Sequence, residues 1–351
     1  MRMPRNNRSQ AFTLVELLVA TAVTLIIMIL AMQVVRGVTD IWSNQVRQSG
    51  ARLVVVVNDA AREVERNMMQ ATVYPYLDYY DEDLVRRDPT GEDIRNFVPF
   101  IYGRASDLHF ISGPDLFGGA GHHSHAAFFQ SPLDHQPGEE GGTATGRLNA
   151  MGYFIRYDSQ DPQRPDFIDP PDQPRHRFKL YKFFKPTDRL GVYSSNGTDR
   201  DWFADELAGD PPGSSFVVVE NILAMAFFPD LPGLSETDRL LMLPGGLYDT
   251  RVSWSGGNQP IAAHQLPPAV EFILIAIEED AAERLNAQFG ATQPDFGLDW
   301  DQLFRSPANL PDDLEMLQEA LNAFEFADGN VGISYRIVRG GIPILSARWS
   351  D

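Results

Sequence analysis

The chain has 351 residues, with 29 Lys and Arg against 48 Asp and Glu, a formal net charge of −19. So acidic a product argues against nucleic-acid binding, because the phosphates would be repelled. Without cysteine there is no disulfide, thiol catalyst or cysteine-ligated zinc, and the length is ample for a buried core beyond any membrane segment.

Residues 1–11 form a basic stub carrying Arg2, Arg5 and Arg8 and no acid. Residues 12–35 are an apolar run, long enough to span a bilayer, with a single acid, Glu16. The arginines place the stub in the cytoplasm and the rest of the chain outside. No small-residue cleavage site closes the run, which separates it from a secretory signal peptide; a plain signal anchor is the bland reading. A carboxylate near the edge of a hydrocarbon layer costs about 2–3 kcal/mol on insertion scales, so it calls for a partner. A cut between Ala11 and Phe12 would create one, an amine of the right charge at the same depth. It would also move the formal charge from −19 to −22, since three arginines leave.

Beyond the run no proline occurs until Pro75, and Trp42, Val46, Leu53, Val57, Ala61, Val64 and Met68 recur at helical steps. Residues 36–73 therefore read as an amphipathic continuation, one helix from about Phe12 to Thr72, roughly 90 Å long at 1.5 Å per residue. The four valines at 54–57 offer a strand as the rival, but the flanking charges favour helix.

Residues 74–351 read as a β-rich head. Strands are expected at Leu108–Ile111, Ala126–Phe129, Tyr153–Tyr157, Phe178–Phe184, Phe216–Val219, Ile222–Phe228, Arg251–Trp254, Val270–Ile277 and Val331–Val338. Val270–Ile277, apolar apart from Glu271, suggests a strand buried on both faces. Helices are expected at Asp280–Phe289 and at Asp312–Phe326, the latter with Pro311 and two aspartates at its start. Asp78–Pro99, Ser131–Leu148 and Ser159–Pro174 read as long loops.

The FTLVELL wording at residues 12–18 resembles the leader of type IV prepilins and pseudopilins. Residue 11 is Ala where that family usually has Gly. The resemblance implies that prepilin peptidase removes the stub and N-methylates Phe12, and that Glu16 pairs with the amine of a neighbouring subunit during assembly. The body, through ARLVVVVNDAAREVER, DLHFISG, ENILAMAFFPD, DTRVSWSGG and QLPPAVEFILIAI, is similar to the J-type minor pseudopilin of type II secretion. With RHRFKLYKFFKP added, it is similar to Verru_Chthon cassette protein C. These likenesses imply an α+β, pilin-like fold: a long N-terminal helix packed on a mostly antiparallel head, single-pass in the bacterial inner membrane with the head in the periplasm, then in a fibre. The function implied is structural, with prepilin peptidase, other pilin-like subunits and inner-membrane lipid as partners, no cofactor and no catalysis. The chain's size suggests a minor or tip subunit. An adhesion or ligand-binding module displayed on a pilin stalk is the alternative, and a membrane-anchored hydrolase a third.

His122, His123 and His125 could share a metal, but they sit in a Gly-rich stretch without the rigid elements a metal site needs, so a solvated loop is preferred. Asp78, Asp81, Glu82, Asp83, Asp88, Glu92 and Asp93 could hold Ca²⁺, yet the calcium-loop spacing is missing and a solvated acid run is preferred. Arg175, Arg177 and Lys179 alternate with apolar residues. They suggest either a positive strand face that docks an acidic neighbour in a fibre or the chain's own acidic loops, or an edge strand protected by charge. No G-x-S-x-G or P-loop occurs, and Asn196-Gly197-Thr198 reads as a turn.

Overall fold

The computed structural model describes residues 53–87, 96–116, 124–132, 147–159, 174–193, 200–208, 212–235, 243–254 and 258–349, all within one unit, Leu53–Asp351. The basic stub, the apolar run and the first half of the expected long helix lie outside the described residues. Among those described, no helix is long and apolar enough to cross a membrane.

Residues 53–68 are helical (α1), so the valines at 54–57 belong to helix rather than strand. Val57, Ala60, Ala61, Val64, Asn67 and Met68 are buried, while Val55, Asp59, Arg62 and Arg66 face solvent. The three-and-four spacing of the sequence becomes the packed face. The helix stops short of the expected Thr72. Gln70 and Ala71 tighten onto the carbonyls of Asn67 and Met68, and the Thr72 N–H is then taken by Gln130 O at 2.9 Å. A strand thereby supplies the partner that helical continuation would have supplied.

Eleven strands follow among the described residues: β1 Tyr76–Tyr80, β2 Ile101–Ala105, β3 Ile111–Gly113, β4 Ala126–Ser131, β5 Asn149–Asp158, β6 Arg177–Lys185, β7 Ser215–Glu220, β8 Ile222–Asp230, β9 Tyr248–Asp249, β10 Ala269–Ile277 and β11 Tyr335–Pro343. Three helices intervene, α2 Ala204–Leu207, α3 Glu279–Phe289 and α4 Leu310–Ala323. The strands form a six-stranded sheet in the order β7-β6-β5-β4-β3-β9, a three-stranded sheet β11-β10-β8, and the pair β1-β2. Every pairing among them is antiparallel. The class is α+β, as expected.

Strand β10 lies between β11 and β8, with Val270 and Phe272–Ile277 buried and Glu271 exposed. Its uniformly apolar sequence reflects burial on both faces. The chain passes from the larger sheet to the smaller at Asn221, which has φ 66°, a conformation Asn tolerates better than most residues. Its N–H bonds Phe178 O of β6, and its carbonyl accepts from Ile277 N of β10, so one residue stitches both sheets.

Gly152 of β5 faces Phe128 of β4. A Cβ there would lie 2.2 Å from the Phe128 ring, which stacks on Phe203 with centroids 3.7 Å apart. The missing side chain is what lets the ring lie flat over the sheet.

Several expected boundaries moved. Residues 108–110 precede β3 rather than joining it, because side chains take their backbone donors: Ser106 Oγ for Leu108, Gln130 Oε1 for His109 and Thr250 Oγ1 for Phe110. Arg251–Trp254 is not a strand; Arg251 turns inward to the carbonyls of Asp107 and Val192. Strand β11 starts at Tyr335, after Gly332 with φ 88° breaks the extended run. Helix α4 begins with Pro311 and the two aspartates as expected, but ends at Ala323, where Phe324 turns extended. Asp78–Tyr80, expected in a loop, lie in β1, whose partner β2 was also not anticipated. Most of the other two expected loops, residues 133–146 and 160–173, lies outside the described residues.

Candidate functional site

Ala11, Phe12 and Glu16, the expected processing and assembly residues, lie outside the described residues, as do His122, His123, Asp88, Glu92, Asp93 and Asn196–Thr198. The head shows what the remaining candidates do.

His125 is buried. Its Nδ1 accepts from the Phe227 N–H at 3.0 Å, so Nε2 carries the proton and donates to Phe304 O at 2.9 Å. Burial pushes the imidazole down to about 4, against the pull of those backbone bonds. Both nitrogens are engaged, so no lone pair is left for a metal. Asp81 uses its carboxylate to cap its own turn, accepting from the N–H groups of Asp83 and Val85, and Asp78 is buried against Arg87 at 3.3 Å. Among the described residues no group of three acids or histidines could hold a metal ion.

The basic strand corrects the edge reading, while its cations do meet the chain's own acids. β6 is an inner strand, between β5 and β7, and not a charge-protected edge. Arg177, Lys179 and Lys182 are buried. Lys179 reaches Asp158 at 3.3 Å and Arg177 reaches Glu279 at 3.2 Å, while Arg175 bridges Glu220 at 2.7 Å and Glu279 at 3.6 Å. Burial raises the Glu279 carboxyl, but the Asn221 amide and the two guanidiniums outweigh it, holding it below the usual range. The chain's three lysines divide between partners: Lys182, on the opposite face of β6 from Lys179, pairs with Glu63 of α1 at 3.0 Å. Lys185 pairs with Glu206 of α2 at 2.8 Å. The cations hold the head's own acids, which neutralises charge that burial would otherwise make expensive.

A second buried network escaped the sequence reading. His109, just before β3, is fully buried and bonded on both sides: Trp202 Nε1 donates to its Nδ1 at 3.0 Å, and its Nε2 lies 2.8 Å from Asp249 Oδ1. Arg251 N–H also bonds Asp249 Oδ1, at 2.6 Å, and Arg200 pairs with Oδ2. Burial pushes the imidazole down despite Asp249. Burial would raise the Asp249 carboxyl, but the bond from His109 and the charge of Arg200 hold it down. A His–Asp pair invites comparison with a catalytic relay, but here an indole occupies the position of the nucleophile and no solvent reaches the ring. The network clamps the 200–208 segment onto the larger sheet. No short motif could have exposed it, since its members are 93 and 140 residues apart.

Within the head, the candidate groups act on one another.

Residues 6–32 match the prokaryotic N-terminal methylation motif. The matched span includes Ala11, Phe12 and Glu16. This methylation motif is the prepilin-type signal, and it supports a pilin-like or pseudopilin family, which is structural rather than enzymatic. It implies a membrane-anchored precursor, processing by prepilin peptidase and assembly with other pilin-like subunits. No curated protein matches the chain.

Proposed function

We propose that the chain is a structural, minor subunit of a type IV pilus or a type II secretion-like fibre, related to the J-type pseudopilin and to Verru_Chthon cassette protein C. The observation that carries this reading is the methylation motif at residues 6–32. The precursor waits in the inner membrane with its stub in the cytoplasm and its head in the periplasm. Cleavage after Ala11 frees the Phe12 amine. That amine pairs with Glu16 of a neighbour, and the low dielectric strengthens the attraction that offsets the desolvation of both ions. The head's bulk, more than 250 residues beyond α1, suits a position at or near a fibre's tip better than a repeating shaft.

The test is Glu16→Ala in the native host. Processing should continue, shown by an N-terminus at Phe12, while recovery in sheared fibres falls about tenfold or more, the loss expected when a buried ion keeps no partner. Normal incorporation would remove the assembly mechanism. Copy number by mass spectrometry of purified fibres tests the minor-subunit reading, and parity with the main subunit would end it.

A further inference from the structure

The two-stranded arm β1-β2 and its flanks carry most of the exposed large hydrophobic side chains among the described residues. Eight of the fourteen exposed large hydrophobic side chains fall between Tyr74 and Tyr102. Cross-strand register sets Leu77, Tyr79, Tyr102 and Arg104 on one face, and the alternation of β2 adds Phe100. Tyr79 is 46 % exposed, Tyr102 53 %, Leu77 56 % and Phe100 64 %. Clustered exposure of this kind marks an interaction surface more often than chance.

The arm is mounted rigidly, which an isolated hairpin would not be. On its inner face the Trp254 indole fills the space above Gly103, where a Cβ would meet it at 2.7 Å, and lies edge-on to Tyr80. Gln259 closes the outer edge of β2, accepting from Arg104 N and donating to Arg104 O. Arg104 itself reaches the carbonyls of Ala263 and Pro260. Gln259 thereby takes the outward backbone groups of Arg104, and the side-chain face lies beside it.

Charge narrows the partner. The arm's arginines are engaged: Arg86 with Asp107 at 2.9 Å and over the Tyr76 ring, Arg87 with Asp78, Arg104 with carbonyls. By contrast, Asp81, Glu82 and Asp83, on the turn after β1, make no ion pair among the described residues. Tyrosine faces attract cations, and the acidic turn adds charge complementarity. A second processed copy of this chain would bring the same acidic arm within a total charge of −22, the −19 of the full chain less three arginines.

We infer that the outer face of β1-β2 docks a different pilin-like subunit, through a surface where arginine or lysine stands among apolar side chains. This rests on the fibre-subunit reading and names the surface that such a subunit would use.

The test is photo-crosslinking in native cells, with benzoylphenylalanine replacing Tyr79 or Tyr102 in the full chain, followed by mass spectrometry of the adduct. The expected product joins a second protein that itself carries a prepilin-type leader, through a peptide containing Arg or Lys. Replacing Glu82→Lys and Asp83→Lys, while keeping the turn-capping Asp81, should lower the yield about tenfold, as loss of a complementary contact does. No adduct, an adduct to this chain itself, to lipid or to polysaccharide, or a yield indifferent to the charge reversal overturns the inference. The N-terminal peptide from the same samples separates the two readings. Methylated Phe12 without the adduct sinks the arm alone, and an intact Met1 sinks the fibre reading.

Discussion

The indole N–H of Trp202 points at Nδ1 of His109 from 3.0 Å, and that bond decides the state of the ring. Indole only donates, so Nδ1 must accept and Nε2 must hold the proton it gives to Asp249. Nitrogen NMR should therefore show His109 as a neutral Nε2–H tautomer at pH 7. Trp202→Phe would strand a buried acceptor and destabilise the head by about 1–3 kcal/mol, read as a lower urea midpoint in detergent micelles.

Acid should destabilise the head earlier than its carboxylates alone would require. His109, His125 and His264 are all held below the ordinary histidine range by burial, the last two to about 4. A depressed histidine contributes stability that is fully present above its unfolded value and is lost as pH falls towards the folded one. Between pH 6.5 and 5 each of His125 and His264 should remove about 2 kcal/mol. Urea denaturation at pH 7 and pH 5 checks this, and His125→Gln should flatten the slope. Equal stability at the two pH values would contradict it.

Lys182 ties α1 to the larger sheet through Glu63, and the lysine is the more deeply buried partner. Lys182→Met should cost about 1–3 kcal/mol, less than a fully buried pair because Glu63, 29 % exposed, can hydrate. Adding Glu63→Leu should recover most of it. A double-mutant cycle on the helical circular dichroism signal measures the coupling.

Gly152→Val should disturb the aromatic layer. Its side chain would enter the space of the Phe128 ring and push it off Phe203. Overpacking of this kind costs about 1–3 kcal/mol or more, and the near-ultraviolet circular dichroism should weaken while the far-ultraviolet signal holds.

Where burial follows a local period, the sequence showed it. The buried stripe of α1 is legible because its environment repeats every 3.6 residues, and Val270–Ile277 because burial on both faces leaves a nearly unbroken apolar run. The strand character of Arg177–Lys185 was legible too, but not its place. Alternating cations look solvated until Asp158, Glu220, Glu279 and Glu63 arrive from distant segments. Asp78–Tyr80 of the arm read as loop because the surrounding acidic, proline-bearing stretch resembles turn sequence. The arm's alternation became visible only when Trp254, some 150 residues on, covered one face. His109 and Asp249 likewise meet only in three dimensions. The leader was the reverse case, a purely local signal, and Ala11, Phe12 and Glu16 lie outside the described residues.

Intact-mass analysis with N-terminal sequencing of the protein from its native membrane is the most direct measurement. The account predicts a chain lacking residues 1–11 and starting with N-methylated Phe12. A mature population that still begins at Met1, in cells whose processing peptidase is active, would contradict it.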